Sequence, residues 1–245
     1  MKTSADREPV CTYLDWDSSF FECRIARVNG HSLDDAKLTE VLAWCETNRI
    51  DCLYFLADSD DPQTSALAER NGFLNTDVRL TLERTLPGSA PIAPPGDRVR
   101  LARREDLSAL KAIARTGHRD TRFYFDFHFD RAKCDLLYET WIENSFTGFA
   151  QAVLVAEMNA EPAGYITCSS QGVESQIGLV GVADKCQGMG LGKQLVESFL
   201  AWSVEHGADR VTVVTQGRNV SAQRLYQRMG FLTAGLQLWY HRWFT

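Results

Sequence analysis

The run Ile177-Gly178-Leu179-Val180-Gly181-Val182 passes through Ala183-Asp184-Lys185-Cys186 into Gln187-Gly188-Met189-Gly190-Leu191-Gly192-Lys193, and helical periodicity starts directly behind it. No other segment constrains the chain as tightly. Glycine admits positive φ and close backbone approach, so successive N–H groups around Gly188 to Lys193 can point at phosphate oxygens. A helix N-terminus behind them adds the positive end of its dipole. The junction is built to cradle a pyrophosphate.

Spacing separates the glycine loops that do this. A dinucleotide fingerprint, G-x-G-x-x-G counted from Gly188, needs its third glycine where Lys193 stands. A P-loop needs glycine five residues before Gly192-Lys193, where Gln187 is found, and Ser or Thr after the lysine, where Gln194 is found. Both patterns fail, leaving Q-x-x-G-x-G after a strand. A glycine-rich strand-to-helix turn with no ligand is the plain structural alternative.

The 245 residues are long for one domain and short for two full ones. Leu86 to Asp97 carries four prolines and two glycines and cannot continue a helix or a central strand. We therefore expect an N-terminal region over 1–86, a linker over 87–97 and a larger region over 98–245. The net charge of -6 argues against wholesale binding to nucleic acid or an anionic membrane. Seven cysteines without zinc spacing fit free thiols in a reducing compartment, and no metal site is expected. The first nine residues lack a signal peptide's apolar core, and no apolar run approaches the ~20 residues of a membrane span. The expectation is a cytoplasmic protein.

Before the expected linker, helices near 33–48 and 63–71, a strand over 52–57 and an alternating strand over 76–84 are predicted. After it come a strand near 98–102, a helix over 105–116, strands over 152–157, 164–169 and 175–182, a helix over 191–206 and a strand over 210–214. A helix over 221–229 and a final strand over 237–243 close the chain. Glu69-Arg70-Asn71-Gly72-Phe73-Leu74 echoes Gln227-Arg228-Met229-Gly230-Phe231-Leu232, which fits either a partial internal repeat or two unrelated helix C-caps.

Asn219, Ala222, Tyr226, Gly230 and Phe231 match N-x-x-A-x-x-x-Y-x-x-x-G-F. With the Q-x-x-G-x-G loop, this pattern resembles the GNAT N-acetyltransferases. The resemblance implies an α/β (α+β) fold with a mixed twisted sheet flanked by helices, a catalytic domain over 98–245 and a smaller, truncated GNAT-like N-terminal domain. It also implies acetyl-CoA as co-substrate. Pantetheine and the thioester would lie along the backbone of Leu179, Val180, Gly181 and Val182, and the pyrophosphate on Gln187, Gly188, Met189, Gly190, Leu191, Gly192 and Lys193, with Asn219 also contacting pantetheine. Tyr226 resembles the tyrosine that protonates the departing thiolate, a role suited to a phenol of pKa near 10. A core tyrosine and a plain helix cap are the structural alternatives for Tyr226 and Asn219.

The acceptor side is less determined. Glu143, His118, Asp126 and His128 are titratable residues in the region where acceptors commonly bind in this fold, and Glu143 is taken as the candidate base. Arg119 to Phe129 interleaves aromatics with charges, a mix able to stack a base and hold phosphates, although aromatic clusters more often pack a core. A narrower resemblance within the family, carried by Arg122, Phe123, Trp141, Glu143 and the opening Leu14 to Phe21, implies a dTDP-linked 4-amino-4,6-dideoxyhexose as acceptor, with Arg122, Phe123, Trp141 and Glu143 as its contacts. A peptide N-terminus, a polyamine or an antibiotic amine, and a non-catalytic CoA sensor, stay open. The aromatic closing segment Leu238 to Phe244 suits a core strand or a dimer edge, so a homodimer is among the expectations. Cys186 beside the loop has no histidine near it in sequence, which favours direct attack over an acetyl-cysteine.

Overall fold

A computed structural model describes residues 9–86 and 98–244, so the expected linker at 87–97 lies outside the described residues. Two compact units emerge. One gathers Met1–Arg79, Phe125–Phe129 and Leu236–Thr245, and the other Leu80–Tyr124 and Asp130–Gly235. The units interleave along the chain instead of meeting at one boundary, because residues 80–86 pack with the second unit and 125–129 with the first.

In the first unit, β1 (Cys11–Tyr13), α1 (Asp15–Phe21), β2 (Ile25–Val28), α2 (Asp35–Thr47), β3 (Cys52–Asp58) and α3 (Pro62–Arg70) precede the start of β4 (Leu74–Thr85). The end of the closing strand, β10 (Leu232–Trp243), joins them. β3 runs parallel to β2 and antiparallel to β10, with Gln237 opposite Asp58 and Trp243 opposite Cys52. A strand paired on both edges and covered on both faces reads as an unbroken apolar run, which is why Cys52 to Ala57 does not alternate. Val41, Leu53, Phe55, Phe73 and Tyr240 form the core there. The Asp61 side chain caps α3 by accepting from the N–H groups of Gln63 and Thr64, with Pro62 at the first helical position.

The second unit adds β5 (Val99–Leu101), α4 (Leu107–Gly117), α5 (Arg122–Phe125), α6 (Arg131–Asn144), β6 (Ala152–Met158), β7 (Glu161–Gln171), β8 (Glu174–Val182), α7 (Leu191–Glu205), β9 (Arg210–Gln216) and α8 (Val220–Arg228). Its strand order is β4-β9-β8-β7-β6-β5. β5 to β8 are antiparallel neighbours and β9 is parallel to β8, which makes the sheet mixed. Leu195, Val196, Phe199 and Leu200 of α7 pack with Leu154, Ile166, Val211 and Val213 of the sheet. Each such side chain contributes about 1.5–3 kcal/mol by leaving water. α4 packs on β7 and against α6. Residues alternate across a strand, so Ile166 and Cys168 face the α7 layer while Tyr165 and Thr167 face the α4 layer.

The predicted helices and the strands around the glycine junction are present within a few residues of their expected limits. α1, β1 and β2 were not anticipated. The echo between the halves has matching local geometry. Gly72 and Gly230 both take positive φ (78° and 80°), and the N–H groups of Phe73 and Phe231 return to the carbonyls of Ala68 and Tyr226 at 3.1 and 3.0 Å. Both phenylalanines are buried. Such closures are those of a helix C-cap with a left-handed glycine.

Candidate active site

The site begins where two strands part. β8 pairs with β9 from Glu174 opposite Arg210 to Ile177 opposite Val213, and no further. Its pairing with β7 continues to Val182 opposite Gly164. From Gly178 to Val182 one backbone edge of β8 is therefore engaged by β7, and its other edge turns away from β9. A bulge starts the divergence: Ile177 faces Cys168 and Val180 faces Ile166, which sets Gly178 and Leu179 against Thr167 alone. Thr167 Oγ1 accepts the Leu179 N–H at 2.8 Å, and a Cβ on Gly178 would stand 2.7 Å from that oxygen. The Leu179 N–H is thus committed to Thr167.

A groove of about 790 Å³ opens beside the free edge. Val180, Gly181 and Val182 line it from β8, and Gln187, Gly188, Gly190, Leu191, Gly192 and Lys193 from the junction. Gly188 and Gly190 take φ of 77° and 82°, the left-handed region closed to most side chains. The N–H groups of Leu191, Gly192 and Lys193 open α7 and have no acceptor within the helix. Gly192 serves close packing instead, because a Cβ there would meet Leu225 Cδ2 at 3.3 Å. Gln187 Nε2 donates to Asp184 Oδ1 at 3.0 Å and so braces the turn into the loop. Met189 is an exposed side chain and does not line the groove.

The opposite wall is α8. Asn219 lines the groove and caps the helix, its Oδ1 accepting the Ala222 N–H at 3.0 Å. Ser221, Arg224 and Arg228 line it too, on one face at helical spacing. Sequence reasoning passed over these arginines, although their spacing from Asn219 was a readable signal. Together with Lys193 they concentrate positive charge on one groove of a chain whose net charge is -6. Tyr226 follows on the α8 face that carries Ala222, buried against Phe231 at 5.7 Å between ring centroids. It lies behind the lining residues Ala222, Leu225 and Met229 and is not itself among those that line the groove. Burial pushes its phenol above the ordinary tyrosine value, so it is protonated at neutral pH.

The expected acceptor residues do not converge on this groove. Glu143 is ion-paired to Lys111 at 2.7 Å, a link between α6 and α4, and does not line this groove. Phe123 is 2% exposed, a core aromatic, and the half-buried Trp141 packs against it and Tyr138. The Arg122 guanidinium lies over the Phe123 ring at 4.2 Å. In the first unit, Asp126 is buried and accepts from His241 Nδ1 at 2.6 Å, His128 Nδ1 at 2.7 Å and Trp243 Nε1 at 2.8 Å. Burial acts to raise its carboxyl, but the bonds from His241, Trp243 and His128 outweigh that and hold it well below the usual range. Asp126 is an anchor there. His118 is half-buried at the end of α4 beside the groove-lining Gly117, with Nε2 2.8 Å from the Tyr165 hydroxyl. Cys186 is buried at the groove wall. Among the described residues no three His, Cys, Asp or Glu side chains form a metal-binding group, and no helix is long and apolar enough to cross a membrane.

The sheet opens between neighbouring parallel strands, with a glycine loop and a helix N-terminus at its mouth. Residues 114–231 match the acetyltransferase (GNAT) family. It is similar to the spore coat polysaccharide biosynthesis protein SpsD of Bacillus subtilis, 30% identical over 138 residues, covering 56% of this chain and 48% of that protein. This chain thus spans about half the length of that relative. It is 24% identical over 248 residues to a dTDP-fucosamine acetyltransferase of Escherichia coli, covering 99% of this chain and 100% of that protein. A GCN5-related N-acetyltransferase from Sphaerobacter thermophilus shares the fold at a TM-score of 0.69 and 13% identity, over 95% of this chain and 76% of that one.

Proposed function

We propose that the protein transfers acetyl from acetyl-CoA to a primary amine by direct attack within a ternary complex. The observation that carries this is the parting of β8 from β9 after Ile177, opening on a groove whose mouth is the N-terminus of α7. The groove's volume and its split character, main chain at one end and cations at the other, suit a long ligand with an amide-bearing arm and phosphates. The N–H groups of residues 188 to 193 hold the pyrophosphate, Arg224 and Arg228 add positive charge to the phosphates, and the free edge of Val180 to Val182 hydrogen-bonds the pantetheine amides.

The amine nitrogen attacks the thioester carbonyl, the carbon–sulfur bond breaks, and the leaving thiolate takes a proton that Tyr226, buried behind the groove wall, supplies through an intervening water. With Glu143 bound to Lys111, the amine's proton leaves through water or another group. Net, an amine and a thioester become an amide and a thiol.

The acceptor class we propose is a nucleotide-linked amino sugar, a dTDP-linked 4-amino-4,6-dideoxyhexose. Its support is the names of two relatives, one a dTDP-fucosamine acetyltransferase aligned over nearly the whole chain and one a polysaccharide biosynthesis protein. The paired closures at Gly72 and Gly230 support reading the first unit as a truncated, inactive counterpart of the second. Thiol release from acetyl-CoA, followed against dTDP-amino sugars, polyamines and peptides, tests the reading. Turnover confined to peptides or polyamines removes the sugar, and no binding of acetyl-CoA removes the function.

A further inference from the structure

β7 offers two side chains to the opened part of β8, and each fills the space in which a glycine lacks its Cβ. Thr167 does so at Gly178, where it also takes the Leu179 N–H. Tyr165 does so at Gly181, where a Cβ would come within 2.7 Å of its Cε1, 2.9 Å of its Cζ and 3.1 Å of its hydroxyl. Gly181 sits opposite Tyr165 in the strand register and lines the groove. The ring is thus pressed flat against backbone that, on the reading proposed above, carries the acyl end of the donor.

A ring in that place is useful only if it stays there. Tyr165 is fully buried, and its hydroxyl lies 2.8 Å from His118 Nε2. The His118 ring is itself stacked on Tyr138 of α6, at 4.5 Å and 14°. The chain of contact therefore runs from α6 through His118 and Tyr165 to Gly181. Burial lowers the His118 pKa to about 4, which keeps the imidazole neutral at physiological pH and the hydrogen bond independent of pH there. A neutral ring held by stacking and one short bond is a strut.

We propose that Tyr165, fixed by His118, is a positioning residue that sets the acyl-bearing stretch of β8, and that residue 181 is glycine to admit it. The inference rests on the acetyl-transfer reading. Small misplacement of a reacting carbonyl costs rate more than affinity when the ligand's phosphates are anchored elsewhere. The donor should bind much as before, and the transfer step should slow.

The test compares His118→Phe, His118→Gln, Tyr165→Phe and the double variant His118→Phe/Tyr165→Phe by steady-state kinetics, with acetyl-CoA affinity measured by titration calorimetry. His118→Phe keeps a ring to stack on Tyr138 and loses the bond, while His118→Gln keeps a hydrogen-bonding group. We expect kcat about tenfold down in each Phe variant, KM for acetyl-CoA and its calorimetric Kd within about twofold, and no further loss in the double variant. His118→Gln recovers to within about threefold of wild type, and the pH–rate profile between about pH 6 and 9 keeps its shape in all of them. Losses that multiply to about a hundredfold, a glutamine variant as slow as the phenylalanine one, or an acid limb that disappears with His118 would each overturn the inference, the last by making the histidine a base. Wild-type protein that binds no acetyl-CoA would instead remove the acetyl-transfer reading and the inference with it, an outcome that calorimetry separates from the others.

Discussion

Asp126→Asn is the most informative single change in the first unit. The carboxylate is 4% exposed; Oδ1 accepts from the His128 backbone N–H at 3.1 Å and from His128 Nδ1, while Oδ2 accepts from His241 Nδ1 and Trp243 Nε1. Asparagine keeps the shape and replaces one oxygen by NH₂. On the Oδ2 side the NH₂ faces the indole N–H, and on the Oδ1 side it faces a backbone N–H. Neither donor can reverse its role, whereas the imidazoles can change tautomer. One donor is therefore stranded, at about 1–3 kcal/mol, and the remaining bonds lose their charge assistance, for a total of about 3 kcal/mol. For a chain of this size that lowers Tm by about 6–12 °C at pH 7. The assay is thermal unfolding followed by circular dichroism at pH 7 and pH 3. The folded carboxyl sits below its unfolded value of about 3.9, so its contribution is fully present above that pH and is lost as the pH falls through the folded pKa. The gap between wild type and variant should narrow at pH 3. A drop of under about 2 °C at pH 7, or a gap that widens in acid, would refute the anchoring role.

Tyr226→Phe should lower kcat about a hundredfold with KM for acetyl-CoA within about threefold, measured by thiol release; an unchanged kcat would take the phenol out of the mechanism. Arg224→Ala/Arg228→Ala should raise KM for acetyl-CoA about tenfold at low ionic strength, and by less in about 0.5 M salt, because both side chains are exposed and their field is screened. Gly190→Ala puts a Cβ on a residue at φ 82°, which strains the loop by about 1–2 kcal/mol and should weaken acetyl-CoA binding about tenfold by calorimetry.

The glycine junction and the cap of α8 were legible because their causes are local. Gly188 and Gly190 are glycine on account of their own backbone angles, and Asn219 caps the helix it precedes. The glycines at 178 and 181 have a different cause, the side chains of Thr167 and Tyr165 across the strand, and no pattern within β8 announces it. The Glu143 ion pair was hidden for the same reason, since Lys111 is 32 residues earlier and meets it only once α4 and α6 pack. The aromatics around Phe123 divide, with Phe123 and Phe129 in the packed core and Phe125 and Phe127 exposed, a split that no pattern in the sequence announces. The expected linker lies outside the described residues, and nothing local announces the interleaving by which residues 125–129 join the first unit.

The parting of β8 from β9 has a consequence for how such a protein can change. What the open edge of Val180 to Val182 presents is main chain, and main chain is the same whatever side chains it bears. Under the proposed reading, donor recognition along that edge is buffered against substitution, provided Thr167, Tyr165 and the glycines they face are kept. The acceptor has no such buffer, because it must be told apart by side chains. Under the proposed reading, one scaffold can be re-aimed at new amines by drift at a few exposed positions while its donor chemistry stands still.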